Sequence, residues 1–297
     1  MKALRKAFDV SLDAFYQFLA DDGWAIASHI ALSMLMALFP FLIVLTSLAG
    51  FFGSKDLADQ AAMLMLDVWP AQVASTLSGE IHDVLTTTRG DALTIGAALA
   101  LYFASNGVES FRVALNRAYR VAETRAWYWL RLESIGYTLV AAFTALAMAF
   151  LIVLGPLLIA TARYYLPLMM ASSEGLLNIA RYGIATAALI VALFILHAWL
   201  PAGRRSFTQI LPGIAFTFAA SLVSGIGFGM YLARFAGNYV SMYAGLASVI
   251  IALVFLYFIA AIFVYGGELN AAIIKARLPR GATLQEAQSP ARAGTSA

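Results

Sequence analysis

Six stretches of this chain run without a single Asp, Glu, Lys or Arg: 23–54, 92–108, 134–162, 182–203, 206–233 and 235–267. A helix crossing a bilayer core needs about 20 predominantly apolar residues. Backbone groups in hydrocarbon have to be satisfied within the segment itself, and a helix does this. Each stretch is therefore a candidate transmembrane helix. Composition agrees: 62% of residues are hydrophobic, 12% are charged and the mean hydropathy is +0.82. An ordinary water-soluble domain is about a quarter charged. The expected fold is all-α and polytopic, with six transmembrane helices at about 25–52, 92–112, 134–161, 181–200, 208–233 and 243–267.

Basic residues set the orientation. Alternate connections carry 14 Lys and Arg on one side and 5 on the other. The basic side stays in the cytoplasm, so both termini are expected there. This asymmetry also accounts for the net charge of +3 and the pI near 9.1 without nucleic acid as a partner. Cysteine is absent, which excludes disulfides, thiolate nucleophiles and Cys-based metal sites.

Outside the spans, residues 1–22 have no compact apolar core and no small-residue cleavage site, so they read as mature chain. Leu4, Phe8, Leu12, Phe15 and Leu19 form one stripe. That suits a helix lying in the membrane interface, or equally one packing on the cytoplasmic loops. Loop 53–91 carries six acids and reads as periplasmic, with two amphipathic helices over the outer mouth or a loosely packed hairpin. Residues 279–297 lack an apolar stripe and are expected to be disordered.

Within the spans, DDGWAIASHIALSMLMALFPFL puts Asp21 and Asp22 at a helix start, where the helix dipole favours them. Pro40 is a kink or hinge, a packing kink being the better reading, and Gly155 and Pro156 mark a second one. On the second span Asn106, Glu109, Asn116, Arg117 and Arg120 fall within about a 100° face. Glu109 can reach Arg112 one turn on. Polar residues at membrane depth face the bundle interior or water, so this face is a candidate polar cavity or substrate path. A helix leaving the bilayer with local ion pairs explains it as well. Glu268 and Asn270 follow Gly266 and Gly267, and Glu268 is expected to pair with Arg117 or Arg120. Ser221, Gly225 and Gly229 repeat every fourth residue, the pattern of close helix packing, within one subunit or in a homo-oligomer.

No catalytic, metal or cofactor site emerges. His29, His82 and His197 lie in separate segments without ligand spacing. Gly225, Gly227 and Gly229 sit inside an apolar stretch with no preceding strand, so they do not form a phosphate loop.

Four motifs carry a family resemblance. They are DDGWAIASHIALSMLMALFPFL, ASNGVESFRVALNRAYRV, LPAGRRSFTQILPGIAFTFAASL and YVSMYAGLASVIIALVFLYFIAAIFVYGGELNAAI. In this order they resemble the YihY/BrkB family of bacterial inner-membrane proteins, over roughly residues 5 to 278. AASLVSGIGFG departs from the pattern, being small and apolar where many relatives carry a Trp and charges. The resemblance implies a multi-pass inner-membrane protein. Some members carry an old ribonuclease label, for which this chain offers no clustered metal ligands. The expected function is transport or handling of a lipid or another amphipathic substrate, with membrane lipids as partners, since few charges are buried deeply enough for an ion-coupled carrier. A non-transporting scaffold or envelope assembly factor is the alternative.

Overall fold

In a computed structural model of the chain, the structure describes residues 2–51, 90–144, 174–203, 205–243, 246–279 and 284. All regular structure among them is helical: α1 (Lys2–Ala20), α2 (Gly23–Phe51), α3 (Gly90–Ala118), α4 (127–144), α5 (Glu174–Ala198), α6 (Phe207–Tyr243) and α7 (Ala247–Lys275). Helix α7 is the hub and packs against α1, α2, α3 and α6. Helices α2 and α3 lie along one another, and α5 rests on α6.

Among the described residues two helices are long and apolar enough to cross a membrane: α6 over Phe207–Phe235 and α7 over Val249–Lys275, with mean hydropathies of 1.7 and 2.7. Of the most apolar stretch of α6, only 22% is buried. Its outward side chains include Val223, Ile226 and Met230. Such an apolar surface is costly in water and suited to lipid. Gly23–Leu38 and Thr186–Ala198 are shorter apolar helices.

Local chemistry explains the helix ends. Asp22 closes the turn between α1 and α2 with φ 58°, a left-handed conformation that Asp tolerates better than most residues. Helix α3 ends in a Schellman turn: Val121 N–H donates to Asn116 O and Arg120 N–H to Arg117 O, at 3.0 Å each. Glycine normally takes the left-handed position there; here Arg120 does, with φ 57°. Helix α3 runs unbroken from Gly90 through the FRVALNRA segment, and α2 runs through the buried Pro40.

The expected stripe on α1 is not the face that packs. Ala14 and Phe18 are buried, whereas Phe8, Leu12, Phe15 and Leu19 are exposed. Phe18 packs edge-on against Trp24 and Tyr265. Of the loop expected over 53–91, residues 53–89 lie outside the described residues and Gly90 and Asp91 begin α3 instead; the kink at Gly155 and Pro156 and His82 also lie outside them. Leu284, in the tail expected to be disordered, packs against the core.

Candidate functional site

Four junctions meet at one end of the bundle: the α1–α2 turn, the α3–α4 loop, the α5–α6 loop and the end of α7. Arg120 donates to both Asp21 carboxylate oxygens, at 2.6 and 2.5 Å, and also to Gln17 Oε1. Arg117 donates to Asp21 O at 3.2 Å and lies 3.7 Å from the Asp22 carboxylate. Asn116 ties two loops, donating to Glu123 Oε2 at 3.1 Å and accepting from Ala202 N–H at 2.7 Å. Lys275 closes the ring on Asp13 at 3.0 Å.

In the α3–α4 loop, Arg125 grips Glu123 through two 2.8 Å bonds and reaches Glu133 at 2.8 Å. These bonds hold the Glu123 carboxyl at about 2, below its ordinary 4.5, and raise Arg125 further. Burial pushes the Tyr119 phenol up to about 12 and lowers the Arg205 guanidinium to about 10. Arg205 sits over the Tyr119 ring, 3.9 Å from its centroid. At neutral pH it stays cationic, held by a ring face.

Inside this end, α6 and α7 touch backbone to backbone. A Cβ on Gly213 would collide with Gly266 O and the Asn270 amide, and one on Gly266 would strike the Thr217 hydroxyl. Asn270 is wholly buried; it accepts Gly213 N–H at 2.6 Å and donates to the Tyr119 hydroxyl at 3.2 Å. Gly213 follows Pro212, whose ring disturbs helix bonding, so the Asn270 amide supports the backbone at a weak point. Glu268, also buried, lies beside Asp21 with Arg120 in electrostatic reach. Arg120 bonds to Asp21 and Arg117 lies by Asp22, so among the described residues Glu268 makes no ion pair with either, and the pairing expected for it is not formed. Gly225, Gly227 and Gly229 differ: a Cβ at any of them meets no atom within 4 Å.

A second feature lies two turns into α2. Ile26, His29, Asn106, Glu109, Ser110 and Val113 line an open cleft of about 490 Å³ between α2 and α3. His29 Nδ1 is 2.7 Å from Ser110 Oγ, and Ser110 donates to Asn106 O at 2.9 Å. Behind them Arg131 of α4 donates to Asn106 Oδ1 at 2.6 Å and Glu109 Oε2 at 3.1 Å, and covers the Tyr102 ring at 5.0 Å. Glu109 therefore pairs with Arg131 and not with Arg112. Arg112 turns away, buried, to Leu130 O at 2.8 Å and to Ser134 Oγ.

The predicted polar face of α3 thus divides. Asn106 and Glu109 line the cleft, while Asn116, Arg117 and Arg120 stitch the junctions. His29 and Ser110 line the cleft and Arg131 braces it from α4, none of them having been singled out for it. Ser110 follows Asn106 by four residues, a spacing that could have flagged it; Arg131 left no local signal. His197 is buried, with Nδ1 on Leu193 O at 2.9 Å and its ring against Phe263. Among the described residues no group of three His, Asp or Glu is placed to hold a metal.

The family model described as Virulence factor BrkB matches residues 14–291, nearly the whole chain. The chain belongs to the virulence factor BrkB family. A BrkB-type relative, YfkH of Bacillus subtilis (strain 168), is named ribonuclease-like; it is 27% identical over 266 residues, covering 89% of this chain and 94% of that protein. A UPF0761 membrane protein of Rhodospirillum centenum (strain ATCC 51521 / SW) is 27% identical over 279 residues, or 91% of this chain. The chain spans 58% of that relative's length. No solved structure matches this BrkB-family chain. With its apolar α6 and α7, the chain is a membrane protein of this family.

Proposed function

We propose that this BrkB-family protein crosses the bacterial inner membrane six times, with both termini in the cytoplasm, and handles a lipid or lipid-like amphiphile at the α2–α3 cleft. Support for the threading comes from the junction end. The four segments that the basic-residue asymmetry assigns to the cytoplasm are the ones tied together there. Exposed Trp127, Tyr128, Trp129 and Trp199 ring the same end, as aromatics do at a membrane interface.

The cleft and the surface beyond it carry the functional reading. Seven residues make two helical turns, so Met36 continues the face of His29. Tyr102, Leu99 and Ile95 likewise continue the face of Glu109 and Asn106. All four are exposed. From Asn106 to Ile95 the rise is about 16 Å, against roughly 15 Å for one leaflet of a bilayer core. A polar cleft at the interfacial end followed by one leaflet's depth of apolar strip fits a headgroup and an acyl chain. Ribonuclease chemistry finds no support in these residues.

The test is reconstitution in liposomes with fluorescent phospholipids, together with quantification of lipid retained after purification. Val113 is exposed at the cleft, and Val113→Trp fills it. Retained lipid and transbilayer movement are both expected to fall in that variant while the fold persists. If the natural-sequence protein neither retains nor moves lipid, this reading is wrong and a scaffold role replaces it.

A further inference from the structure

We infer that the α2–α3 cleft selects amphiphiles whose headgroup bears a primary ammonium, as ethanolamine phospholipids do; this rests on the amphiphile reading above and adds the headgroup. Hydrogen-bond accounting carries it. The Ser110 hydroxyl has one proton and gives it to Asn106 O. With that proton on Asn106 O, Ser110 Oγ accepts across its 2.7 Å contact with His29, and the tautomer that completes this arrangement carries its proton on Nδ1. A neutral imidazole protonated on Nδ1 presents Nε2 as an acceptor. Glu109 gives one carboxylate oxygen to Arg131, and its other oxygen has no partner among the described residues. Asn106 Oδ1 is taken by the same guanidinium, which leaves its amide N–H groups.

The unfilled groups at the cleft are thus two acceptors, Glu109 Oε1 and His29 Nε2, and one amide donor, Asn106 Nδ2. A phosphate offered to this set would bring acceptors and negative charge to a carboxylate. A trimethylammonium group has no N–H to give. A primary ammonium brings three donors to the free Glu109 oxygen and to His29, and charge-assisted hydrogen bonds of this kind are the strong ones; Arg131 already offsets the Glu109 charge, so the match is of donors to acceptors. Asn106 Nδ2 remains for a phosphate or ester oxygen of the same headgroup. Arg131, bonded to both Asn106 and Glu109, holds the two side chains in register.

The experiment uses the full-length protein in detergent, equilibrated with equal amounts of phosphatidylethanolamine, phosphatidylglycerol and phosphatidylcholine of identical acyl chains, and read by native mass spectrometry. Phosphatidylethanolamine is expected to be retained about tenfold over phosphatidylcholine, the scale of one charge-assisted bond. Glu109→Gln and His29→Phe should each lower the phosphatidylethanolamine-to-phosphatidylcholine ratio by lowering retained phosphatidylethanolamine more than retained phosphatidylcholine. Both positions are solvent-accessible, and His29→Phe leaves the Arg131 pair intact, so a folding defect in one variant does not remove the test. Equal retention of the three lipids, or preference for phosphatidylglycerol, overturns the headgroup assignment and leaves the amphiphile reading standing. No retained lipid at all overturns both. A last arm adds soluble glycerophosphoethanolamine: no displacement at lipid-equivalent concentration supports a lipid-borne amine, and full displacement overturns it.

Discussion

Two parts of α6 use the same small residues to opposite effect. Near its start, Gly213 lies against Gly266 and Asn270 so closely that a single added carbon would collide. Two to four turns later Ser221, Gly225 and Gly229 keep the every-fourth-residue spacing, yet the two glycines face open space. Spacing alone does not make a contact. At the junction end, Pro212 perturbs the backbone, Gly213 gives it room and Asn270 supplies a side-chain acceptor for the Gly213 N–H. In the middle of the helix nothing on a facing helix, among the described residues, answers the small side chains.

The sharpest way to break this contrast is Gly213→Val. Overpacking between two backbones is expected to cost about 3 kcal/mol, read as thermal unfolding in detergent, whereas Gly225→Val should change stability little. Equal losses at the two sites would refute the contrast. Loss of self-association in Gly225→Val, with stability kept, would assign the open stretch to contact between copies. Next in size is Asn270→Leu, which removes the side-chain acceptor of the buried Gly213 N–H and one bond to the Tyr119 hydroxyl, for about 2 kcal/mol.

A smaller effect separates two substitutions of Arg120. Its left-handed backbone strain is held in place by Asp21 and Gln17. Arg120→Gly loses those bonds but relieves the strain, and Arg120→Ala loses the bonds and keeps it. The alanine variant is expected to be about 1 kcal/mol the less stable of the two. No difference between them would mean that the turn relaxes freely. The smallest effect is pH dependence in the α3–α4 loop. Glu123 is held at about 2 from an ordinary 4.5, so its contribution is complete above about pH 4.5 and is lost as pH falls towards 2. Acid unfolding in that window should be shallower in Glu123→Gln; an unchanged profile would show that the Glu123–Arg125 pair contributes nothing to stability.

Much of the helical order was legible in the chain. The absence of charge over long stretches requires apolar surroundings, and helices lie on those stretches among the described residues; α5, at Glu174–Ala198, starts before the expected 181, and α6, at Phe207–Tyr243, runs past the expected 233. Helix α4 begins at 127, earlier than the predicted 134, because its first turn bonds back to Ala126 O and is built from Trp, Tyr and Trp. The cleft was half legible. Periodicity grouped Asn106 with Glu109, but the other wall came from α2, and a neighbour about 80 residues away leaves no periodic trace.

What the sequence determined by itself is the solvent and the membership: long uncharged apolar runs belong in lipid, and the spaced motifs resemble the family to which the chain belongs. Partnership was decided only by the tertiary structure. It chose Arg131 over Arg112 for Glu109, Asp21 over Glu268 for Arg120, and Gly213 over Gly225 for backbone contact. The physical reason is that charge pairing and close packing depend on which helices are brought within a few ångströms, and residue spacing along one helix carries no record of its neighbours.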